Sequence, residues 1–260
     1  MNKYFIFLLF VFVVFGCSKK TENIEITALD YHNAVDKITD IMVHDIFSPP
    51  VASRIYAYTN IAAYEIIAQD NLKFNSFAGE FQGLPSIPKP DPEKEINTRM
   101  SALVAHLEIG KLLIFSEADI QVFQDSLYNN WKEKDNDLFI NSRDYGMEVA
   151  SHIKTWLNTD NYKETRTQPK YSVYSDDPSR WKPTPPSYMD GIEPHWGEIR
   201  TFSLDSASQF EFGSHPEFSL DPSSDFYQEL VEVYDIKKQM ELEGEESEML
   251  EKARFWDCNT

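Results

Sequence analysis

Apolar residues recur along this chain at intervals of three and four, the period of a helix with one buried face. Val35, Ile38, Met42 and Ile46 form the first series. It predicts a helix opening near Thr27, because Thr27 and Asp30 stand at the spacing at which a hydroxyl and a carboxylate cap each other's backbone amides. Ser48-Pro49-Pro50 ends it, since proline has no amide hydrogen and clashes with the turn before it. From Ser53 to Ala68 the pattern changes. Ile55, Tyr56, Ile61, Ala62, Ala63, Ile66 and Ile67 occupy nearly every side, which predicts a helix at the centre of a bundle.

Gly79, Gly83, Pro85, Pro88, Pro90 and Pro92 then mark residues 75 to 92 as a loop. A helical hairpin follows. Met100, Leu103, Val104, Leu107 and Ile114 make one stripe, and Ile120, Phe123, Leu127 and Trp131 make the next after a second capping pair, Ser116 and Asp119. Leu138 to Leu157 reads as a further helix with Tyr145, Val149, Ile153, Trp156 and Leu157 inward. No segment shows the strict alternation of a half-buried strand, so the expectation is an all-α helical bundle.

Residues 159 to 221 break the rhythm. They hold half of the 14 prolines, together with Tyr162, Tyr171, Tyr174, Trp181, Tyr188, Trp196, Phe202, Phe210, Phe212 and Phe218. Disordered segments are poor in aromatics, so this stretch reads as an ordered, irregular excursion pinned over the bundle by its rings. Helix is expected to resume at Asp221-Pro222, with Phe226, Leu230, Val233 and Tyr234 inward, and again from Glu245 to Asp257.

The N-terminus carries a targeting pattern. Lys3 precedes an apolar run from Tyr4 to Phe15, which is shorter than the 20 or so residues a membrane-spanning helix needs. Gly16-Cys17 closes it as a bacterial lipobox does, although Phe15 is bulkier than most lipoboxes carry. Residues 1 to 17 are therefore expected to be a lipoprotein signal peptide, with Cys17 lipidated and residues 18 to 26 a polar tether. An ordinary signal peptide or an uncleaved anchor are the alternatives. The expected location is the bacterial cell envelope, with the membrane as a partner through Cys17. Cys258 would then have no disulfide partner.

Charge narrows the partners. A net charge of -19 and a pI near 4.6, with no Lys/Arg cluster, exclude nucleic acid and electrostatic binding to anionic lipid. Chemistry is sparse. None of His32, His44, His106, His152, His195 and His215 stands in a metal-binding spacing. His106 and His152 read as structural histidines, and His195, between Pro194 and Trp196, as a stacking or loop-bonding one. The acidic run Glu241 to Glu251 lacks a calcium-loop pattern and reads as a solvated helix junction. Nucleophile elbows and phosphate-binding glycine loops are absent from the sequence.

Two stretches go further. Phe47-Ser-Pro-Pro-Val-Ala-Ser-Arg-Ile-Tyr-Ala-Tyr58 with Ile61-Ala-Ala-Tyr64 resembles the N-terminal helices of the bacterial vanadium-dependent haloperoxidases, whose superfamily also contains the type 2 phosphatidic acid phosphatases. Trp181-Lys-Pro-Thr-Pro-Pro186, Pro194-His-Trp-Gly-Glu-Ile-Arg-Thr-Phe-Ser-Leu204 and Ala253-Arg-Phe-Trp256 are similar to later segments of the same family, in the same order. The resemblance runs from about residue 30 to the end. It implies that residues 27 to 260 form the N-terminal helical half of such a domain.

That family's chemistry implies an oxyanion pocket in which Lys and two Arg neutralise vanadate or a phosphoryl group, with two His beside them. Its Arg-Pro and Pro-Ser-Gly-His signatures are not found in this sequence. Gly213-Ser214-His215-Pro216 has similar letters in another order and region. No catalytic, cofactor-binding or metal-ligating residue is therefore carried over. Vanadate is expected only in a full-length relative, and this chain is expected to be inactive alone. The apolar face of Met249, Ala253 and Trp256 is expected to take the missing half or a partner. The competing expectation is a non-catalytic lipoprotein scaffold or binding module.

Overall fold

A computed structural model describes residues 23 to 257, so Cys17 and Cys258 lie outside the described residues. Among these, the chain folds as helices with no strand. The bundle comprises α1 (Ala28–His44), α2 (Pro49–Asp70), α3 (Thr98–Leu113), α4 (Glu117–Lys134) and α5 (Asn136–Leu157). A short α6 (Tyr162–Thr165) and a single 3-10 turn at Trp196–Glu198 are the regular pieces of the excursion. Beyond it come α7 (Asp225–Glu243) and α8 (Glu248–Trp256). No helix among the described residues is long and apolar enough to cross a membrane.

Local chemistry sets the ends of these helices. The Thr27 hydroxyl accepts from the Asp30 amide while Asp30 accepts from the Thr27 amide, a complete capping box. Pro49 and Pro50 do not merely end α1. They open α2, where the missing amide hydrogens belong to the unpaired first turn. Ile46 stands between the two helices at φ 57, with its amide bonded to Val43 and that of Phe47 to Met42. These two bonds form a left-handed helix stop in which glycine is the usual residue.

The second expected capping box does not form. The Ser116 hydroxyl donates instead to Asp45 Oδ1 at 2.5 Å, and Asp45 Oδ2 accepts from the amides of Phe115 and Ser116 at 2.9 and 3.0 Å. Asp45 thereby ties the end of α1 to the start of α4. Burial opposes its ionisation, but the bonds from Ser116, His44 and Phe115 prevail and hold its pKa down to about 2.

α3 lies at the centre, with α1, α2, α4 and α5 around it. It is buried on most sides, from Met100 to Gly110. Small residues let the backbones approach. A Cβ on Gly146 of α5 would stand 2.5 Å from the Ser101 carbonyl oxygen of α3, so no larger residue fits there without movement. The loop between α2 and α3 folds back over the bundle. Buried Glu65 accepts from the Phe77 amide at 2.8 Å and from Ser76, Trp156 Nε1 donates to the Gln82 carbonyl at 2.9 Å, and Tyr145 donates to the Pro88 carbonyl at 3.0 Å.

The C-terminal helices depart from expectation. α7 begins at Ser224, whose hydroxyl accepts from the Tyr227 amide, whereas Asp221 closes a turn onto Ser223. Leu230, Val233 and Tyr234 are exposed, and no residue of α7 is buried. Helical periodicity marked an apolar face correctly but carries no information about what lies against it.

Candidate functional site

One buried polar node joins the bundle to the excursion. Its centre is Asp160, just past α5. Its Oδ2 accepts from Arg54 Nε at 2.8 Å, from Arg54 Nη2 at 2.7 Å and from the Tyr58 hydroxyl at 3.0 Å. The Tyr162 amide donates to its Oδ1 at 3.0 Å. Arg54 and Tyr58 are one turn apart on α2, so the helix itself aims both at the end of α5. The Arg54 guanidinium also stands 4.1 Å from the Tyr162 ring centre, a desolvated cation-π contact.

Arg200 approaches the node from the excursion. Its backbone amide donates to the Asp160 carbonyl at 2.9 Å, and its Nη2 donates to the Tyr58 hydroxyl at 2.9 Å. Nη1 donates to the Trp156 carbonyl and to the Thr159 hydroxyl at 3.1 and 2.7 Å. Phe202, two residues on, closes an aromatic cluster with Tyr58, Trp156 and Phe81. Burial, ahead of the Asp160 charge, pushes the Tyr58 hydroxyl well above the usual range, so it stays protonated and relays between the two sides. A cavity of about 350 Å³ lies against this node, with Arg54, Tyr58, Asp160 and Arg200 in its wall.

An oxyanion such as vanadate needs several cationic donors free to converge on one point. The node does not offer them. Both charged contacts of Arg54 and the three donor contacts of Arg200 end on protein acceptors, and the remaining Arg200 Nε is buried without an acceptor. Arg166, the next guanidinium along, is paired with Glu193 and packs on Tyr162. These residues do not fit the family's oxyanion, and their chemistry is that of a clasp. No group of three or more His, Cys, Asp or Glu among the described residues is placed to hold a metal ion.

The histidines are spread through the molecule. His106 is buried in α3, with Nδ1 3.1 Å from the Tyr31 hydroxyl. The Tyr31 hydroxyl also bonds Asn60 Oδ1 at 2.7 Å, so it links the ring to α2. Burial holds the His106 pKa down to about 4. His195 binds the Glu198 carboxylate through Nδ1 at 2.9 Å and the Pro169 carbonyl through Nε2 at 2.8 Å. Both partners are acceptors. The ring is a double donor only as imidazolium, and the Pro169 carbonyl and then Glu198 raise its pKa accordingly. His215 bonds only its neighbour Pro216.

The acidic run is absorbed in local pairs: Arg254 with Glu245 at 2.8 Å, Lys252 with Glu248 at 2.7 Å, and Gln239 with Glu243 at 2.7 Å. Of the expected apolar face on α8, Met249 is half-buried, and Ala253 and Trp256 are exposed. Sequence reasoning named Trp156, Tyr162 and Phe202 as apolar or aromatic anchors but did not single out Arg54, Asp160 or Arg200. One signal was present. Arg54 interrupts the most apolar helix of the chain, and a charge there calls for a buried partner.

No family model matches the chain, and no curated protein matches it. Among solved structures it is similar to the crystal structure of a bacterial vanadium-dependent iodoperoxidase, at 55% identity and a TM-score of 0.90. The match covers 92% of this chain and 58% of that one, so the chain spans little more than half the length of its neighbour. The chain that folds around the Arg54–Asp160 clasp thus belongs, by fold and by sequence, to the vanadium-dependent haloperoxidase superfamily.

Proposed function

We propose that this chain is the helical scaffold of an exported protein of the haloperoxidase or acid-phosphatase type, and that the scaffold alone turns over neither peroxide nor phosphate esters. The observation that carries this reading is the commitment of Arg54 and Arg200 to protein acceptors around Asp160. The absence of Arg-Pro and Pro-Ser-Gly-His from the 260 residues supports it. In a longer protein of this family the oxyanion-binding groups would come from other sequence. The apolar residues exposed on α7 and α8, with the Met249, Ala253 and Trp256 face, are the surface on which that sequence or a partner would pack.

The same reading places the protein in the cell envelope through a lipid on Cys17. Two measurements test it. The purified chain, given orthovanadate, peroxide and iodide, or an aryl phosphate, is expected to show no turnover above a heat-denatured control. Activity that scales with added chain overturns the scaffold reading. An antibody raised to the bundle, used on membrane fractions, is expected to reveal a band well above 30.2 kDa. A band at that mass would favour a non-catalytic module instead.

A further inference from the structure

We infer that the turn after α2, with Leu72 and Phe74 at its surface, rests in the outer layer of the bilayer that holds the lipid on Cys17. The inference relies on the lipid-anchor reading of Cys17 and adds which face of the protein meets the membrane.

The last residues of the stretch expected as a tether, residues 18 to 26, are docked on the bundle instead. Ile24 and Ile26 are buried, and their carbonyls accept from Asn97 Nδ2 at 3.0 Å and Arg99 Nη1 at 3.1 Å. The chain is therefore fixed from about residue 24, at the start of α3. α1 and α2 run antiparallel, as the pairs Thr39–Tyr56 and Tyr31–Asn60 show, so the segment before α1 lies beside the last turn of α2. Thr98 of α3 donates to Asp70 at the end of α2 at 2.9 Å, which closes the same corner. Tether exit, α2 end and α3 start share one end of the bundle.

At that end the chain exposes large apolar side chains. Asn71 makes a tight turn, accepting from the Lys73 amide through its side chain and from the Phe74 amide through its carbonyl, both at 3.0 Å. This presents Leu72 at 105% relative exposure and Phe74 at 46%, with Lys73 between them. Leu29, in the first turn of α1, is also exposed. Charges from residue 70 to residue 99 leave no cationic excess: Lys73, Lys89, Lys94 and Arg99 stand against Asp70, Glu80, Asp91, Glu93 and Glu95. Apolar burial rather than attraction to anionic lipid is thus the drive toward the bilayer.

Lengths exclude the opposite end, where Ile46 and Phe115 are exposed. Six residue steps from Cys17 to Asn23 reach at most about 20 Å. A helix the length of α2 extends about 33 Å. With Ile46 and Phe115 on the membrane, Asn23 would stand farther from it than the tether reaches.

The test uses the mature lipidated chain in phosphatidylcholine vesicles, with Cys258→Ser removing the other thiol. A nitroxide is placed at Leu72→Cys and, in separate samples, at Val122→Cys or Phe115→Cys. All three positions are exposed, so the fold tolerates the label. At position 72, collisions with oxygen are expected to exceed those with a water-soluble nickel chelate, and the order is expected to reverse at 115 and 122. Nickel access at 72 equal to that at 122, in protein that floats with the vesicles and carries the lipid, overturns the orientation while leaving the anchor intact. Low access to both reagents at 72 would mean that protein covers the turn, which also overturns it. A mass spectrum without a diacylglyceryl adduct on Cys17 removes the anchor itself, and the inference falls with it.

Discussion

Replacing Asp160 by Asn tests whether the node is the clasp that holds the excursion to the bundle. The side chains of Arg54 and Asp160 are 6% and 2% exposed, so the ion pair is cut off from water. Asn keeps the shape and removes the charge. Its single carboxamide oxygen cannot serve both Arg54 on one side and the Tyr162 amide on the other, so in either orientation an NH₂ faces a donor. Removing one partner of a buried pair costs about 3–5 kcal/mol, because the remaining charge stays desolvated. For a domain of this size that lowers Tm by about 10 °C. The assay is thermal or urea unfolding followed by helical circular dichroism, with the Arg54→Met and double variants completing a cycle. The double variant is expected to lie about 2 kcal/mol or more above the sum of the singles, since it leaves no orphaned charge. A loss below about 1 kcal/mol in Asp160→Asn, or strict additivity, would refute the clasp.

Four further perturbations have defined outcomes. Gly146→Ala forces a methyl within 2.5 Å of the Ser101 carbonyl and is expected to cost about 1–3 kcal/mol in urea unfolding. Gly110→Ala meets buried Ile38 at its Cδ1, 2.6 Å away, and its Cγ1, 3.3 Å away. The shift this asks of a side-chain end is set against gained helix propensity, so the variant is expected to be close to neutral. Ile46→Gly relieves a β-branched residue at φ 57 in a helix stop and is expected to stabilise by about 1 kcal/mol, read as a higher urea midpoint. His106 stays neutral when folded down to about pH 4, whereas unfolded histidine takes up its proton near 6.5. Stability is therefore full above pH 6.5 and falls by up to about 3 kcal/mol as pH drops through that window, a slope that His106→Gln is expected to flatten.

Much of the bundle was legible because amphipathic spacing and capping chemistry are local. Thr27 and Asp30 cap α1 in the structure as their spacing demands. The failures are equally physical. Ser116 and Asp119 have the same spacing, yet Ser116 gives its proton to Asp45, a residue 71 positions away. A capping signal cannot register a distant acceptor. In sequence Pro49 and Pro50 read as a stop, but the same lack of an amide hydrogen makes proline a good start. The direction of the signal depends on which helix lies beside it.

The clasp was harder to find for a related reason. Its three charged anchors, Arg54, Asp160 and Arg200, are spread over 146 positions. Arg54 and Arg200 lie within the family-like segments 47 to 58 and 194 to 204, but neither segment tells which residue its arginine pairs with. The chain meets itself there only after α5 and the excursion have both returned to the start of α2. Aromatic richness overstated how many rings hold residues 159 to 221 to the bundle. Tyr162, Trp196 and Phe202 pack against the bundle, while Trp181, Tyr188, Phe210 and Phe212 remain exposed. The excursion is thus secured at its root by buried charge, with rings packed around that charge. Removing Phe202's ring and removing Asp160's charge should therefore differ in kind. The first leaves a cavity that neighbours can partly fill, and the second leaves an arginine whose desolvation no repacking repairs.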